Sequence, residues 1–449
     1  MRPNTVRMER LESRALMAAD ETLGTAQQLG AIGSFTGADT VGPADVSDYY
    51  RFSLAAAGNV TVTLRNLSAN ANLELIQDKN NNGVVDSGEK LRLSSETGTS
   101  QDWISDGLVA GSNYYVRVFN AAGSTSPAYT LNVVGHAYAA SGFATRGSEQ
   151  ALIGFERLDG STTPLDSNAI TWIVAHGRIS GPHADNIARL SAAVDGFQAG
   201  DQVLALDWSS VTRKAGTTTN SSLTDFLGEG WIPYVASFVA TKLVSLGFNS
   251  NNLINLAGHS WGAVLSGEIA NRMRLSASSA VFGVNRIVAL DPARDSSIAD
   301  LNAYNLAYNP ESVNFATNSR FARAFFSSSS SLIGSIGSAT SAGTADESFR
   351  VNVGSGTAAH SNVVTLFSKM LERNNAGSPD AVSALFGLGT MSSSVAKPWK
   401  LNAYSSSGSL SSTGKFEGVL DGTQLGGDWL PQRLRYVSIA TQLEVTVLA

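Results

Sequence analysis

Hydrophobic positions along this chain follow two different periods, and the change from one to the other divides it. Between residues 45 and 134 apolar side chains alternate with polar ones in short bursts: Tyr50, Phe52 and Leu54; Val60, Val62 and Leu64; Tyr114, Val116 and Val118; Tyr129, Leu131 and Val133. A period of two places each set on one face of a strand, and short strands at this density predict a β-sandwich. From residue 151 onward the apolar residues come in continuous runs, "ITWIVA" at 170–175, "VLAL" at 203–206, "LINLA" at 253–257 and "RIVAL" at 286–290, separated by longer amphipathic stretches. Continuous runs suit strands covered on both faces, so this half predicts an α/β domain with a mostly parallel sheet.

Three segments follow neither period. Residues 136–150, "HAYAASGFATRGSEQ", read as a linker that includes His136; residues 327–345, "SSSSSLIGSIGSATSAGTA", read as a low-complexity loop; and 375–449 are too rich in serine and glycine to assign. The organisation expected is therefore a leader at 1–20, a sandwich at 21–135, a linker at 136–150 and a catalytic domain at 151–449, with no internal repeat. The most apolar window, "WIPYVASFVATKLVSLGF", contains Pro233, Ser237, Thr241 and Lys242 and reads as a buried amphipathic helix. No window reaches the ~18 uninterrupted apolar residues that a membrane-spanning helix needs, so no transmembrane segment is expected.

Composition narrows the classes. A chain of 449 residues exceeds what one hydrophobic core usually serves, in keeping with two domains. With 43% hydrophobic and 15% charged residues and a formal charge of -6, it gives no reason to expect a nucleic-acid partner. The absence of cysteine excludes disulfides, thiolate metal sites and a cysteine nucleophile.

Candidate chemistry begins at "LAGHSWGAV", 256–264, which sets Ser260 between Gly258 and Gly262, after an apolar run and before a stretch able to open a helix. A strand, then G-x-S-x-G, then a helix lifts the serine clear of the sheet on a sharp turn whose glycines avoid neighbouring backbone. A serine hydroxyl needs a base, and the base an orienting acid, in the chain order Ser, Asp or Glu, His for this arrangement. Of the five histidines, His136, His176, His183, His259 and His360, only His360 lies downstream of Ser260. The acid expected is Asp291, which follows the apolar run of "IVALDPARD" at the carboxyl end of a parallel strand, with Asp295 and Asp300 as alternatives. His360 precedes the apolar stripe Val363, Val364, Phe367, Met370 and Leu371 and is expected at a loop-to-helix junction. The oxyanion would be met by the backbone N–H groups of Arg178, after the His176-Gly177 corner, and of Trp261. His176 is expected to shape that corner, His183 to lie in a surface loop, and Asp207 and Trp208 to pack.

A second motif lies in the first half. "DKNNNGVVDSGE", 78–89, matches the calcium-loop pattern D-x-[DN]-x-[DN]-G-x5-E. Asp78, Asn80, Asn82, Asp86 and Glu89 would offer side-chain oxygens and Val84 its carbonyl, so calcium is the expected ligand of this domain, while catalysis is expected to need no cofactor.

Three resemblances add to this. "IVAHGRISG", "VLALDWSS", "LINLAGHSWGA", "RIVALDPARD" and "AAHSNVVTLF", in that order, resemble the pancreatic-lipase family of α/β-hydrolases, with "LDPA" the most specific element. That resemblance implies an α/β-hydrolase fold, a Ser260–Asp291–His360 triad, an oxyanion hole at Arg178 and Trp261, and a carboxylic-ester hydrolase, lipase, esterase or phospholipase A1-like, acting on a lipid or other ester. The order "DYYRFSL…NVTVTL…NLELIQD…GLVAGSNYYVRVFN…YTLNV" resembles the pre-peptidase C-terminal family, β-sandwich modules of secreted bacterial hydrolases. "MERLESRALMAAD" is similar to the leaders of large exported and surface proteins of planctomycete-like bacteria, which implies secretion or cell-surface association. Two other readings stay open at this stage: a secreted serine peptidase of the same fold, and a non-catalytic surface-binding protein with a decayed site.

Overall fold

The computed structural model describes residues 20–448 except 121–124, 179, 198–199, 213–229, 249–252, 277–281, 295–307, 328–329, 332–333, 336, 396–415, 439–440 and 442–443. The leader thus lies outside the described residues up to 19, as do Asp295 and Asp300. Two compact units result, one ending at Tyr138 and the other beginning at Ala139.

The first unit is a sandwich of two sheets. One contains β1 (Gln27–Ala31), β3 (Ser47–Ser53), β8 (Tyr114–Asn120), β5 (Ala71–Gln77) and β6 (Lys90–Ser94), in that order. The other contains β2 (Ser34–Thr40), β9 (Ala128–Ala137), β4 (Gly58–Arg65) and β7 (Asp102–Leu108). All twelve residues of the four alternating triplets lie buried in one apolar core, as the period of two requires. His136 belongs to β9, paired with Asn59, and not to a linker.

The second unit is built on one sheet of eleven strands. Two edge strands, β10 (Ala140–Arg146) and β11 (Glu149–Arg157), are antiparallel and replace most of the expected linker. The next strands are β13 (Gln202–Asp207), β12 (Thr171–Ala175), β14 (Ile254–His259), β15 (Val284–Leu290), β16 (Ser319–Ser327), β19 (Glu347–Asn352) and β20 (Phe416–Leu425). Each of these pairs in parallel with its neighbour. The antiparallel β21 (Asp428–Ser438) and β22 (Glu444–Leu448) finish the sheet and show what the serine-rich end of the chain contributes. Two-residue strands β17 (Ser330–Ser331) and β18 (Gly334–Ser335) form a small hairpin within the low-complexity segment.

Helices cover both faces. α1 (Asp185–Phe197) and α4 (Gly356–Asn375) pack on one, against Trp172, Val174 and Val288. α2 (Ile232–Ser245) and α3 (Trp261–Ser276) pack on the other, against Ile173, Ala175 and Ile287. Adjacent residues of one strand therefore feed opposite cores, which is why the runs are continuously apolar. A doubly covered parallel sheet with strand β14, a serine turn and helix α3 at its centre is an α/β-hydrolase fold. Among the described residues no helix is long and apolar enough to cross a membrane.

Candidate active site

Strand β14 ends at His259, helix α3 starts at Trp261, and Ser260 alone makes the turn, at a φ of 58°. A non-glycine residue in this region is strained, and such strain clusters at functional turns. The two glycines are sterically required. A Cβ on Gly258 would lie 2.2 Å from the carbonyl oxygen of Gly262, and one on Gly262 would lie 2.2 Å from that of Ala175. Gly177, after β12, is also tightly placed, since a Cβ there would stand 2.9 Å from the Cβ of Ser260. On α3 itself, the missing side chain of Gly267 makes room for Val313 and Phe315.

Asp291 follows β15 in a second left-handed turn, at φ 44°, and is fully buried. Its backbone N–H donates to the Phe325 carbonyl at 2.7 Å, and the N–H of Ser260 donates to the neighbouring Leu290 carbonyl at 3.0 Å, so the two turns are tied together. The carboxylate receives three donors: Ser327 N at 2.7 Å on Oδ1, and Ser327 Oγ at 2.8 Å and His360 Nδ1 at 2.7 Å on Oδ2. Gly337, whose added Cβ would sit 2.0 Å from Oδ1, packs directly on it.

His360 is the fifth residue of α4, which begins at Gly356, so the residue expected as base stands inside the first turns of a helix and not at its junction with a loop. Small residues before it let the helix start early. With Nδ1 engaged by Asp291, Nε2 is the nitrogen left to serve a hydroxyl. No hydrogen bond joins Ser260 Oγ to His360 here, a link that commonly closes only with substrate bound. Nearness comes instead from His259, beside Ser260, whose ring centre lies 4.4 Å from that of His360 and whose Nε2 is 3.0 Å from the His360 carbonyl oxygen. Since a carbonyl only accepts, Nε2 of His259 carries the proton. Burial, and then the charge of His360, holds the His259 imidazole well below the usual histidine range. Sequence alone does not single out His259, because the position before the serine is free in G-x-S-x-G and only the fold brings α4 over it.

Of the two residues expected to meet an oxyanion, Trp261 opens α3, so its N–H is one of the four that a helix leaves without an internal acceptor, at the positive end of the helix dipole. Arg178 lies in the turn after β12, half-buried, with its guanidinium carbon 5.9 Å from the centre of the Trp261 ring. Behind them His176 is fully buried: its carbonyl accepts from Trp208 Nε1 at 2.9 Å and its Nε2 from Trp208 N at 3.3 Å. His176 and Trp208 therefore shape the corner, and Asp207 caps the next turn by accepting from Ser209 N at 2.8 Å. His183 is more than a surface residue. Its Nε2 lies 2.9 Å from Oε2 of the buried Glu156, whose carboxyl is pushed up by that burial.

The oxygen-rich loop of the first unit is held by its own backbone. Asp78 accepts from Asn82 N and Gly83 N at 3.2 and 3.0 Å, Glu89 from Lys79 N and Asp86 N at 2.8 Å each, and Asn82 Oδ1 from Val84 N at 2.8 Å. Asp86 receives the side-chain amides of Asn80 and Asn82. Asp78 and Glu89 are buried, Asn81 and Gly83 take left-handed turns, and every donor atom on offer is a hard oxygen, a set that fits calcium.

No family model matches the chain, and no curated protein does. Among solved structures it is similar to the pre-peptidase C-terminal domain of a collagenase from Bacillus anthracis, at 17% identity over 24% of this chain and 92% of that one, with a TM-score of 0.19. It is also similar to an esterase from Pyrobaculum calidifontis, at 15% identity over 56% of this chain and 86% of that one, with a TM-score of 0.31. The fold assignment rests on the strand order and the serine turn described above.

Proposed function

We propose that the protein is a serine carboxylic-ester hydrolase working through an acyl-enzyme. The observation that carries this reading is the 2.7 Å bond from His360 Nδ1 to the buried Asp291 carboxylate, formed beside the strained turn that presents Ser260. Nε2 of His360 takes the hydroxyl proton as Ser260 Oγ attacks the ester carbonyl. Asp291 holds the imidazole in the tautomer that allows this and stabilises the imidazolium that results. The tetrahedral oxyanion is received by the N–H groups of Trp261 and Arg178. Collapse breaks the bond to the alcohol, which leaves with the proton from His360. A water, deprotonated by the same nitrogen, then attacks the acyl group and releases the acid, restoring Ser260.

Acyl lipids, phospholipids included, are the substrate class suggested by the resemblance of "RIVALDPARD" to pancreatic lipases, and secretion with cell-surface association is suggested by the N-terminal resemblance. The catalytic residues use no cofactor in this scheme. Calcium belongs to the first unit, where Asp78, Asn80, Asn82, Val84, Asp86 and Glu89 would hold it and lower the freedom of the loop. The test is a panel of short-chain esters, triglycerides, phospholipids and peptides offered to the wild type and to Ser260→Ala. Ester turnover that disappears in the variant is expected; peptide turnover, or ester turnover retained in the variant, contradicts the reading.

A further inference from the structure

The low-complexity segment starts with five consecutive serines, 327–331, and the first of them is not loop. Ser327 is the last residue of β16 and is 3% exposed. Parallel pairing of β15 with β16 sets Leu290 opposite Phe325. In a strand the carbonyl of one residue and the N–H two positions later point to the same neighbour, so the Phe325 carbonyl and the Ser327 N–H both face the end of β15. The carbonyl takes the Asp291 N–H at 2.7 Å. Asp291 turns left-handed, and it is its carboxylate that meets the next donor: Oδ1 accepts from Ser327 N and Oδ2 from Ser327 Oγ. Oδ2 is also the oxygen that accepts the hydrogen bond from His360 Nδ1.

We propose that Ser327 is a positioning residue of the acid and base: its backbone N–H fixes where the Asp291 carboxylate lies, and its hydroxyl shares Oδ2 with His360 and so tempers how strongly that oxygen draws the imidazole proton. The chemistry given to the site rests on the ester-hydrolase reading above; the coupling between Ser327 and His360 does not. A donor withdrawn from Oδ2 leaves more negative charge facing His360 and favours its protonated form. Among the described residues, the titratable groups facing His360 are Asp291 across the hydrogen bond and His259 across the ring stack, and the second is kept neutral by burial. Arg178, over the Trp261 ring, is untouched by any variant below.

Ser327→Ala removes one hydrogen bond and retains the backbone donor, so the carboxylate stays in place. The test compares wild type, Ser327→Ala, Ser327→Thr and Ser327→Cys in the full chain, reading the His360 titration by NMR with the resonance identified in His360→Asn, and the pH profile of ester hydrolysis. Ser327→Ala is expected to move the His360 midpoint and the acid limb of kcat/KM upward together, by about half a pH unit, and to lower kcat by about tenfold with KM unchanged, the size of one charge-assisted hydrogen bond. Ser327→Thr, which keeps a hydroxyl, should restore both. Should the alanine variant fail to fold, Ser327→Cys keeps the volume with a weak donor and should shift the midpoint in the same direction. A midpoint unmoved in a folded alanine or cysteine variant overturns the proposal, as does a fall in kcat with a stationary acid limb. A moved midpoint in a chain that hydrolyses no ester sinks the ester-hydrolase reading and keeps this one; ester hydrolysis lost in Ser260→Ala with an unmoved midpoint does the reverse.

Discussion

Each unit buries aspartate, and an acidic cluster of the sandwich contrasts with the single Asp291 of the α/β unit. In the sandwich, Asp20, Asp45 and Asp48 bring oxygens within 4.8 Å of one another, and each has an oxygen that finds no hydrogen-bond partner among the described residues. Asp48, 1% exposed, has the Tyr129 hydroxyl as a donor, and burial first of all pushes its carboxyl up to about 8, with Asp45, Asp20 and Asp39 adding to it. Asp20 is pushed up to about 6, again chiefly by burial. In the α/β unit, Asp291 is as deeply buried, yet both of its oxygens accept hydrogen bonds, three in all. Burial that leaves one oxygen without a donor, beside other carboxyls, favours a carboxyl that keeps its proton; burial with donors on both oxygens makes an acceptor able to orient a histidine.

The comparison breaks most visibly in catalysis. Ser260→Ala and His360→Ala should each lower turnover by about 10⁴-fold or more, with the double variant hardly worse, since such residues act as a unit. Asp291→Asn should cost on the order of 10²- to 10⁴-fold, because it retains the shape and loses the preferred tautomer. Steady-state rates on one soluble ester check all four, and additive losses in the double variant would refute the shared role. Gly337→Ala, which drives a methyl group into Oδ1 of Asp291, should reduce kcat by about tenfold to a hundredfold while the melting temperature falls by only a few degrees. Wild-type kcat in that variant would mean that the carboxylate has room to spare.

The sandwich sharpens the contrast through pH. A carboxyl whose folded pKa is raised binds its proton more tightly in the native state, so its stabilising contribution is complete below the ordinary carboxylate range and is lost as pH rises. For Asp20 the loss runs from about pH 4 to about 6, and for Asp48 on to about 8. A fragment of residues 19–140 in chelator should therefore melt at progressively lower temperature between pH 4 and 8. Asp48→Asn should flatten that slope and stabilise the fragment at pH 8 by on the order of 2 kcal/mol. Calorimetry at both ends of the range decides it, and a wild-type melting temperature that climbs with pH would contradict the account. Calcium at a hundred times Kd should add about 2.7 kcal/mol to the same fragment, and Glu89→Gln should remove most of that gain.

Much of this could be seen in the sequence, for reasons that particular residues make plain. Tyr50, Phe52 and Leu54 announce their strand because polar neighbours contrast with them, and "RIVALD" places Asp291 because a run of apolar residues stops at a charge. Strand β10 was hidden because only Ala144 of its seven residues is buried, and alanine, glycine and serine give no contrast. Strand β21 was hidden by Pro431, which a central strand seldom tolerates; here it stands at the register shift beside Asp421 and Gly422, where a bulge absorbs it. Ser327 could not be told from the four serines after it, since only the register with β15 selects the one that reaches Asp291. His259 and His360, a hundred residues apart along the chain, meet only because α4 crosses the end of β14.

The most direct test of the central claim is covalent. The full chain is treated with a fluorophosphonate at neutral pH, digested, and its adduct located by mass spectrometry. The account predicts one adduct per chain, on Ser260, formed slowly or not at all in His360→Ala and with ester hydrolysis lost in proportion to labelling. An adduct on another serine, or full ester hydrolysis in a completely labelled chain, would contradict it.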